Sequence, residues 1–340
     1  MTTTKAVRTF KISSLNKNLG NSCENLSYHS VRSPKTNPLP LNHTLMKFIK
    51  PLIGAATIVT AFTSIASAQS IVHRYDMNID GTANDSVGTA DGTLSAGATI
   101  AGGVLTPQDG GNPSGGTGRG VVLPTTAVAG LSGSFSIECW YSWDGTGGYQ
   151  TLYSFSNGSN ANSLVAVAKR QGEANLASQS SAFKWAPDNT ETIVQTRTNK
   201  NPGAAGGLVL ASVVTTYDAT TNMASIYLNG AIVSAIDLNN SQPVGSTTGT
   251  LAITGFNLSS LTQLGIGGSS PYTDEVVNGT ISDFRIYSGA LSLSQVANIY
   301  SLGADASNSA ITAAIPEPST IALLVGAGVA GLVIRRRSRA

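Results

Sequence analysis

Ser134-Phe135-Ser136-Ile137-Glu138-Cys139-Trp140-Tyr141-Ser142-Trp143 decides the fold. Successive side chains of a strand point to opposite faces, so a period of two marks a strand with two distinct surfaces. Phe135, Ile137, Cys139, Tyr141 and Trp143 share one face, while Ser136, Glu138, Trp140 and Ser142 share the other. Asp144-Gly145 ends the run. Outward from it, strands are expected at 151–155, 164–168, 208–217, 264–266 and 280–287, each bounded by turn residues. The clearest hairpin pairs 223–228 with 231–238 across Asn229-Gly230, a dipeptide that accepts the positive φ angles of a type I′ turn. Strands this frequent, joined by glycine-rich turns, specify an all-β sandwich or jelly roll. One helix is expected: Ser292 and Gln295 form a capping box, Leu293, Val296, Ala297 and Tyr300 share a face, and Gly303 closes it. Such a short amphipathic helix would lie on the sandwich as a lid. Residues 170–207 read as long loops around one or two weak strands, and 305–315 as a flexible linker.

Composition agrees with that class. Charged residues are only 11% of the 340, against roughly 25% in ordinary soluble domains. Gly, Ser, Thr, Asn and Ala take their place. The formal charge of +2 hides an asymmetry, because eight of the 20 Lys and Arg precede residue 51 and four follow residue 334. Of the 18 Asp and Glu, only Glu24 in the leader and Glu317 in the tail lie outside residues 69–315, which leaves that central part with eight basic and 16 acidic residues. An acidic body argues against nucleic acid as a partner. Cys23 lies in the leader, so Cys139 stands alone in the body and no disulfide is expected within it. Its place in an apolar alternation reads as a buried small hydrophobe.

Both ends carry addresses. Met46-Lys47-Phe48-Ile49-Lys50, an apolar core over 52–62 and Ala66-Ser67-Ala68 before Gln69 have the layout of a signal peptide. Residues 1–45 read as a non-native or disordered extension, with translation starting at Met46. At the other end stand Pro316-Glu317-Pro318-Ser319-Thr320, an apolar run over 321–334, and Arg335-Arg336-Arg337-Ser338-Arg339. A permanent span wants about 20 apolar residues, so this run is short, and the arginines are expected to stay cytoplasmic. The three-part tail resembles the PEP-CTERM sorting signal of Gram-negative bacteria. That resemblance implies an exosortase-type partner, processing near the Pro-Glu-Pro, at least transient membrane contact through the C-terminal helix, and delivery to the cell envelope, surface or matrix.

The body resembles the laminin-G-like, concanavalin A-like jelly roll family. His73-Arg74-Tyr75-Asp76 with Asp80-Gly81, Asn84-Asp85-Ser86 and Asp91-Gly92 is similar to its first strand and turn, and the 134–140 segment to its central strand. Ser225-Ile226-Tyr227-Leu228-Asn229-Gly230 is similar to its hairpin, and the stretch from Asn278 to Ser292 to its closing strand and helix. The resulting layout is a leader extension (1–45), signal peptide (46–68), jelly roll domain (69–304), linker (305–315) and sorting segment (316–340).

The family places a structural Ca2+ near its first turn, which implies Asp80, Asn84, Asp85 and Asp283 as oxygen ligands. Asp and Asn also populate turns for backbone reasons alone, and both readings stay open. The stretch Asp76-Met77-Asn78-Ile79-Asp80-Gly81 matches the front of an EF-hand loop but has Val87 where the bidentate carboxylate belongs. Glycosidases need two carboxylates flanking the scissile bond. Glu138, Glu173, Glu191 and Glu275 form no such motif, and His73 is the one histidine of the body. The expectation is therefore a non-catalytic protein. Glycan contact is expected at Glu138 and Trp140, with Tyr149, Trp185 and Tyr272 as further aromatic candidates; the competing reading packs Trp140 beneath a loop or the terminal helix. The expected function is carbohydrate binding or adhesion, toward exopolysaccharide or a cell-surface glycan. A matrix scaffold without a ligand, and a divergent glycoside hydrolase, are the alternatives.

Overall fold

The computed structural model describes residues 69–95, 97–108, 119–144, 149–158, 162–168, 180–185, 190–195, 209–243, 253–268 and 275–315. Ala66, Ala68, Tyr272, Pro316, Glu317 and Pro318 lie outside these residues.

The strands, in chain order, begin with β1 Ser70–Tyr75, β2 Thr93–Leu94, β3 Thr99–Ala101, β4 Val104–Thr106, β5 Val121–Leu123 and β6 Phe135–Trp143. There follow β7 Gln150–Ser156, β8 Ser163–Val167, β9 Ser180–Trp185, β10 Thr190–Gln195, β11 Val209–Asp218 and β12 Met223–Leu228. The series closes with β13 Ala231–Asp237, β14 Gln242–Pro243, β15 Gln263–Ile266, β16 Glu275–Val276 and β17 Gly279–Ser288. Two helices then complete the body, α1 Leu293–Leu302 and α2 Asn308–Ala314.

They form two sheets. The larger runs β14-β13-β12-β11-β6-β17-β4-β3, with β1 also on β17; the smaller runs β10-β9-β8-β7-β15-β5-β2, with β16 beside β7. The expected all-β sandwich is therefore the observed one. β6 is central to the larger sheet, with β11 and β17 on either side in antiparallel register. Its apolar face enters the layer between the sheets, where Phe135, Ile137, Cys139, Tyr141 and Trp143 meet Tyr153, Phe155, Leu164 and Phe183 from the smaller sheet. Cys139 is fully buried there. The hairpin forms at Asn229-Gly230, whose φ angles of 50° and 79° are those a type I′ turn demands.

Segment 170–207 holds two six-residue strands, β9 and β10, paired in register from Thr190↔Trp185 to Gln195↔Ser180. The capping box of α1 is as expected, with Ser292 and Gln295 exchanging both bonds.

The 305–315 segment differs from the flexible linker expected there. Ser307 caps α2 by accepting from the Ala310 amide. Ile311 and Ile315 join Val296 and Ile299 of α1, and Ile71, Val214, Tyr227 and Tyr287 of the larger sheet, in a second apolar layer. Both faces of the larger sheet are thus covered: one by the smaller sheet, the other by the two helices.

Candidate functional site

On the helix-covered face, period two brings Glu138 and Trp140 of β6 beside Asp283, Arg285 and Tyr287 of β17. In the pairing register Glu138 lies opposite Arg285, and Trp140 opposite Asp283. Arg285 donates to Glu138 Oε2 at 3.0 Å and to Asp283 Oδ2 at 2.6 Å. Tyr287 Oη donates to Glu138 Oε2 at 2.7 Å, while Trp140 Nε1 and Ser212 Oγ donate to Oε1 at 2.8 and 3.1 Å. Arg74 from β1 reaches Asp283 at 2.9 Å. Asp283 is 1% exposed and Arg285 0%. Burial pushes the Asp283 carboxyl up to about 6, with the two guanidiniums opposing the rise. Burial by itself would lower the Arg285 pKa, but Glu138 and Asp283 raise it above the usual range, so the guanidinium stays charged.

The helices finish this network. Tyr300 of α1 lies parallel to Trp140, with ring centroids 5.5 Å apart and planes 6° from parallel. The carbonyls beyond the end of α1 need partners, and the two arginines supply them: Ala304 O accepts from Arg285 at 2.8 Å and from Arg74 at 2.9 Å. Glu138 and Trp140 therefore form the sealed junction between sheet and helices, which corrects the expectation that they line an open sugar-binding surface. A carboxylate and an indole in mid-strand look the same in sequence whether water or a helix covers them.

The calcium expectation meets the same chemistry. Asp283 is taken by two guanidiniums. Asp85 Oδ1 accepts from the amides of Arg74, Val87 and Gly88 at 3.0, 3.2 and 2.8 Å. Its Oδ2 accepts from His73 Nδ1 at 2.6 Å and from the Ala90 amide at 3.0 Å. Asp80 accepts from the Gly102 amide at 2.9 Å, and Asn84 is exposed. Among the described residues no three His, Cys, Asp or Glu side chains gather as metal ligands. Five donors already surround Asp85, so these four residues do not fit a Ca2+ ion.

Asp85 instead organises the first turn. Burial raises its pKa, but His73 and the amides outweigh that and hold it below 3.8. A carboxyl depressed on folding contributes stability above its unfolded pKa and loses it as pH falls through the folded value. Asp85→Asn, which turns an NH2 toward donors, is expected to cost about 2–3 kcal/mol at pH 7. The cost should shrink below pH 3.8, as urea melts at pH 7 and pH 3 will measure.

Of the aromatic candidates, Tyr149 is partly exposed just before β7. Trp185, at the end of β9, is partly buried against Phe256, with centroids 5.2 Å apart. Phe256 leads to a feature that sequence reading missed. A recess of about 260 Å³ opens where β11 turns into β12, lined by Ser132, Tyr217, Thr220, Asn222, Thr254 and Phe256, among others.

Local hydrogen bonds hold its floor. Asp218 Oδ1 accepts from the Thr220 amide at 2.9 Å, and Asn222 takes a positive φ of 53° to enter β12. Tyr217 Oη donates to Asn222 Oδ1 at 2.8 Å, and Asn222 Nδ2 donates to Asn239 Oδ1 at 3.0 Å and to the Ile253 carbonyl. Tyr217, Asn222 and Phe256 are buried, whereas Ser132, Thr220 and Thr254 are exposed at the mouth. Those three hydroxyls form no hydrogen bond among the described residues. In sequence the stretch 218–222 showed only its turn chemistry; the floor needs Asn239 and Phe256, which only the fold brings near.

Two face-to-face antiparallel sheets, with central strands of this register, define a lectin-like β-sandwich. Residues 115–297, more than half of the chain, match the Concanavalin A-like lectin/glucanases superfamily, and the chain belongs to that superfamily. Residues 314–337 match the PEP-CTERM protein-sorting motif, the mark of an exported protein of the Gram-negative cell envelope.

No curated protein matches the chain. Among solved structures it is similar to the CBM40 of the Ruminococcus gnavus IT-sialidase at 13% identity and a TM-score of 0.37, covering 49% of this chain and 82% of that one. It is also similar to domain 4 of AbnA, a GH43 extracellular arabinanase from Geobacillus stearothermophilus, in complex with arabinotriose. That match has 17% identity and a TM-score of 0.47, covering 68% of this chain and 98% of that one. The binding domain of botulinum neurotoxin serotype D/C gives 17% identity and a TM-score of 0.47, covering 68% of this chain and 52% of that one.

Proposed function

We propose that the chain is an exported, non-catalytic surface or matrix protein whose sandwich binds a neutral carbohydrate at the β11–β12 recess. The observation that supports this reading is a recess lined by three exposed hydroxyl residues without partners among the described residues and by the buried side chains of Tyr217, Asn222 and Phe256. Sugars are recognised by hydroxyl exchange at a rim and by apolar contact below it. At about 260 Å³ the recess lies just under the ~300–1,000 Å³ typical of drug-sized ligands, so one sugar ring fits better than an oligosaccharide. No charged side chain lines it, which favours a neutral sugar over a uronic or sialic acid. The same absence of a carboxylate, together with the sealing of Glu138, supports binding without hydrolysis. Export is taken to begin at the 46–68 leader, and the 316–340 tail is read as the substrate of an exosortase-type enzyme.

Thr220→Trp, which fills the mouth, is expected to weaken binding at least tenfold on a glycan array and by calorimetry, with the thermal midpoint unchanged. Binding should survive EDTA. A protein that binds neither neutral monosaccharides nor its host's own polysaccharide is the ligand-free scaffold instead. Release of reducing sugar would establish the hydrolase.

A further inference from the structure

Ile315 is 3% exposed and closes the second apolar layer. Pro316, the first residue of the Pro-Glu-Pro, follows it with nothing between. The helix that delivers the tail is pinned at its start: Arg74 Nη1 donates to Ala306 O at 2.7 Å and to Asn308 Oδ1 at 2.8 Å. Asn308 Nδ2 donates to Ser86 O at 2.9 Å. Burial of Ile311 and Ile315 holds the rest. By contrast, α1 has its own attachments in the Trp140–Tyr300 stack and the Arg285 bonds to the Gly303 and Ala304 carbonyls. The final helix can therefore leave while the first stays.

Chain length makes the arrangement matter. Six residue steps separate Ile315 from Ile321, where the apolar run begins. Fully extended they span at most about 21 Å, so the folded body is tethered close to any membrane that holds the run. Unwinding the seven residues of α2 from ~1.5 to ~3.4 Å per residue lengthens that tether by about 13 Å. A peptide taken up by main-chain pairing with its partner must be extended to be bound. Here Thr312, Ala313 and Ala314 are helical, and Ile315 is buried.

We propose that α2 is a latch that must leave Arg74 and the larger sheet before the tail is processed, so that the sorting peptidase acts on an undocked segment. This rests on the reading of residues 316–340 as a processed sorting tail. The cut breaks one backbone amide and passes its acyl carbon to water or an amine. The latch contributes access alone, and Asn308, Ile311 and Ile315 set its strength.

The test is a pulse-chase of the full chain in a bacterium carrying its sorting enzyme, read by gel and mass spectrometry. Two forms are compared with wild type: Asn308→Ala with Ile311→Ala, and an insertion of ten Gly and Ser residues between Ile315 and Pro316. Each is expected to be shortened about tenfold faster, the substituted form through ~1.4 kcal/mol of lost docking and the insertion form because the added residues supply the extended segment with the helix still docked. Combining the substitutions with the insertion should add nothing. Hydrogen exchange should show β6 and β17 protected as in wild type, with amides 308–315 opened only by the substitutions. Equal conversion of wild type, the substituted form and the insertion form overturns the latch. Failure of every form to be shortened overturns the sorting reading, and the latch with it.

Discussion

Arg285→Met is expected to destabilise the domain by about 3–5 kcal/mol, the range seen when one member of a buried ion pair is removed. In the native protein Arg74 and Arg285 face Glu138 and Asp283, so the sealed junction is neutral. Without Arg285, one guanidinium is left for two buried carboxylates, and of the two Arg74 is bonded to Asp283. Glu138 keeps donors in Tyr287, Trp140 and Ser212, but no counter-charge. The pH dependence has a definite sign. The folded Asp283 carboxyl titrates at about 6, above its unfolded 3.8. A carboxyl raised on folding stabilises fully below its unfolded pKa and loses that contribution as pH rises through the folded one. Losing one of the two guanidiniums that oppose the rise moves the Asp283 carboxyl further up, so Arg285→Met should be least damaging near pH 4 and more damaging as the pH rises past 6. Adding Glu138→Gln should recover much of the loss, because an amide oxygen at the Oε1 position still accepts from Trp140 and Ser212 while the NH2 at the Oε2 position donates to the Tyr287 hydroxyl, which can accept as well as donate. Urea melts of the single and double variants at pH 5 and 7.5 decide it. An Arg285→Met protein within 1 kcal/mol of wild type at pH 7.5 would mean that the ion pair contributes far less than a buried pair should.

The same residues show how far the sequence could be read. Alternation in 134–143 disclosed two faces and correctly assigned one to the core, since a strand's period is fixed by covalent geometry. It could not say what covers the other face, because covering is a long-range contact. Glu138 and Trp140 looked like a lectin pairing for that reason. A clue was present: Asp283, Arg285 and Tyr287 repeat at period two on a strand rich in apolar residues, in a chain with only 11% charged residues. Charges that scarce, in the middle of a strand, are expected to pair with one another when buried. The hairpin at Asn229-Gly230 and the capping box at Ser292 were legible because each is a local interaction. The helix at 308–314 was not, since seven residues are too few to hold a helix alone even with three alanines among them, and docking on Arg74 fixes the segment. The recess escaped for a similar reason, as its floor draws on residues from 217 to 256.

Trp140→Ala separates the structural reading of the covered face from the binding reading that the sequence suggested. The side chain is 4% exposed, stacked on Tyr300 and bonded to Glu138. Removing a buried aromatic of this size costs about 3–5 kcal/mol, of which the ring stack itself accounts for ~0.5–1.5. The loss should be local at first. Tyr300 then has no partner, α1 loosens, and its amides exchange faster than those of β7 and β15 in the smaller sheet. Because Ala304 and Ala306 both accept from Arg74, a loosened α1 should release the last helix as well and speed tail processing. Trp140→Phe keeps a flat ring against Tyr300 but removes the indole N–H, and is expected to cost only about 1–2 kcal/mol. Sugar affinity of the folded protein should stay at the wild-type value in both variants, since the recess belongs to the β11–β12 turn and shares no residue with this junction. Thr220→Trp should show the reverse pattern, with native stability and no binding. If Trp140→Ala instead kept the native melting temperature and lost its sugar, the indole would be a ligand contact and the sealed junction would open in solution.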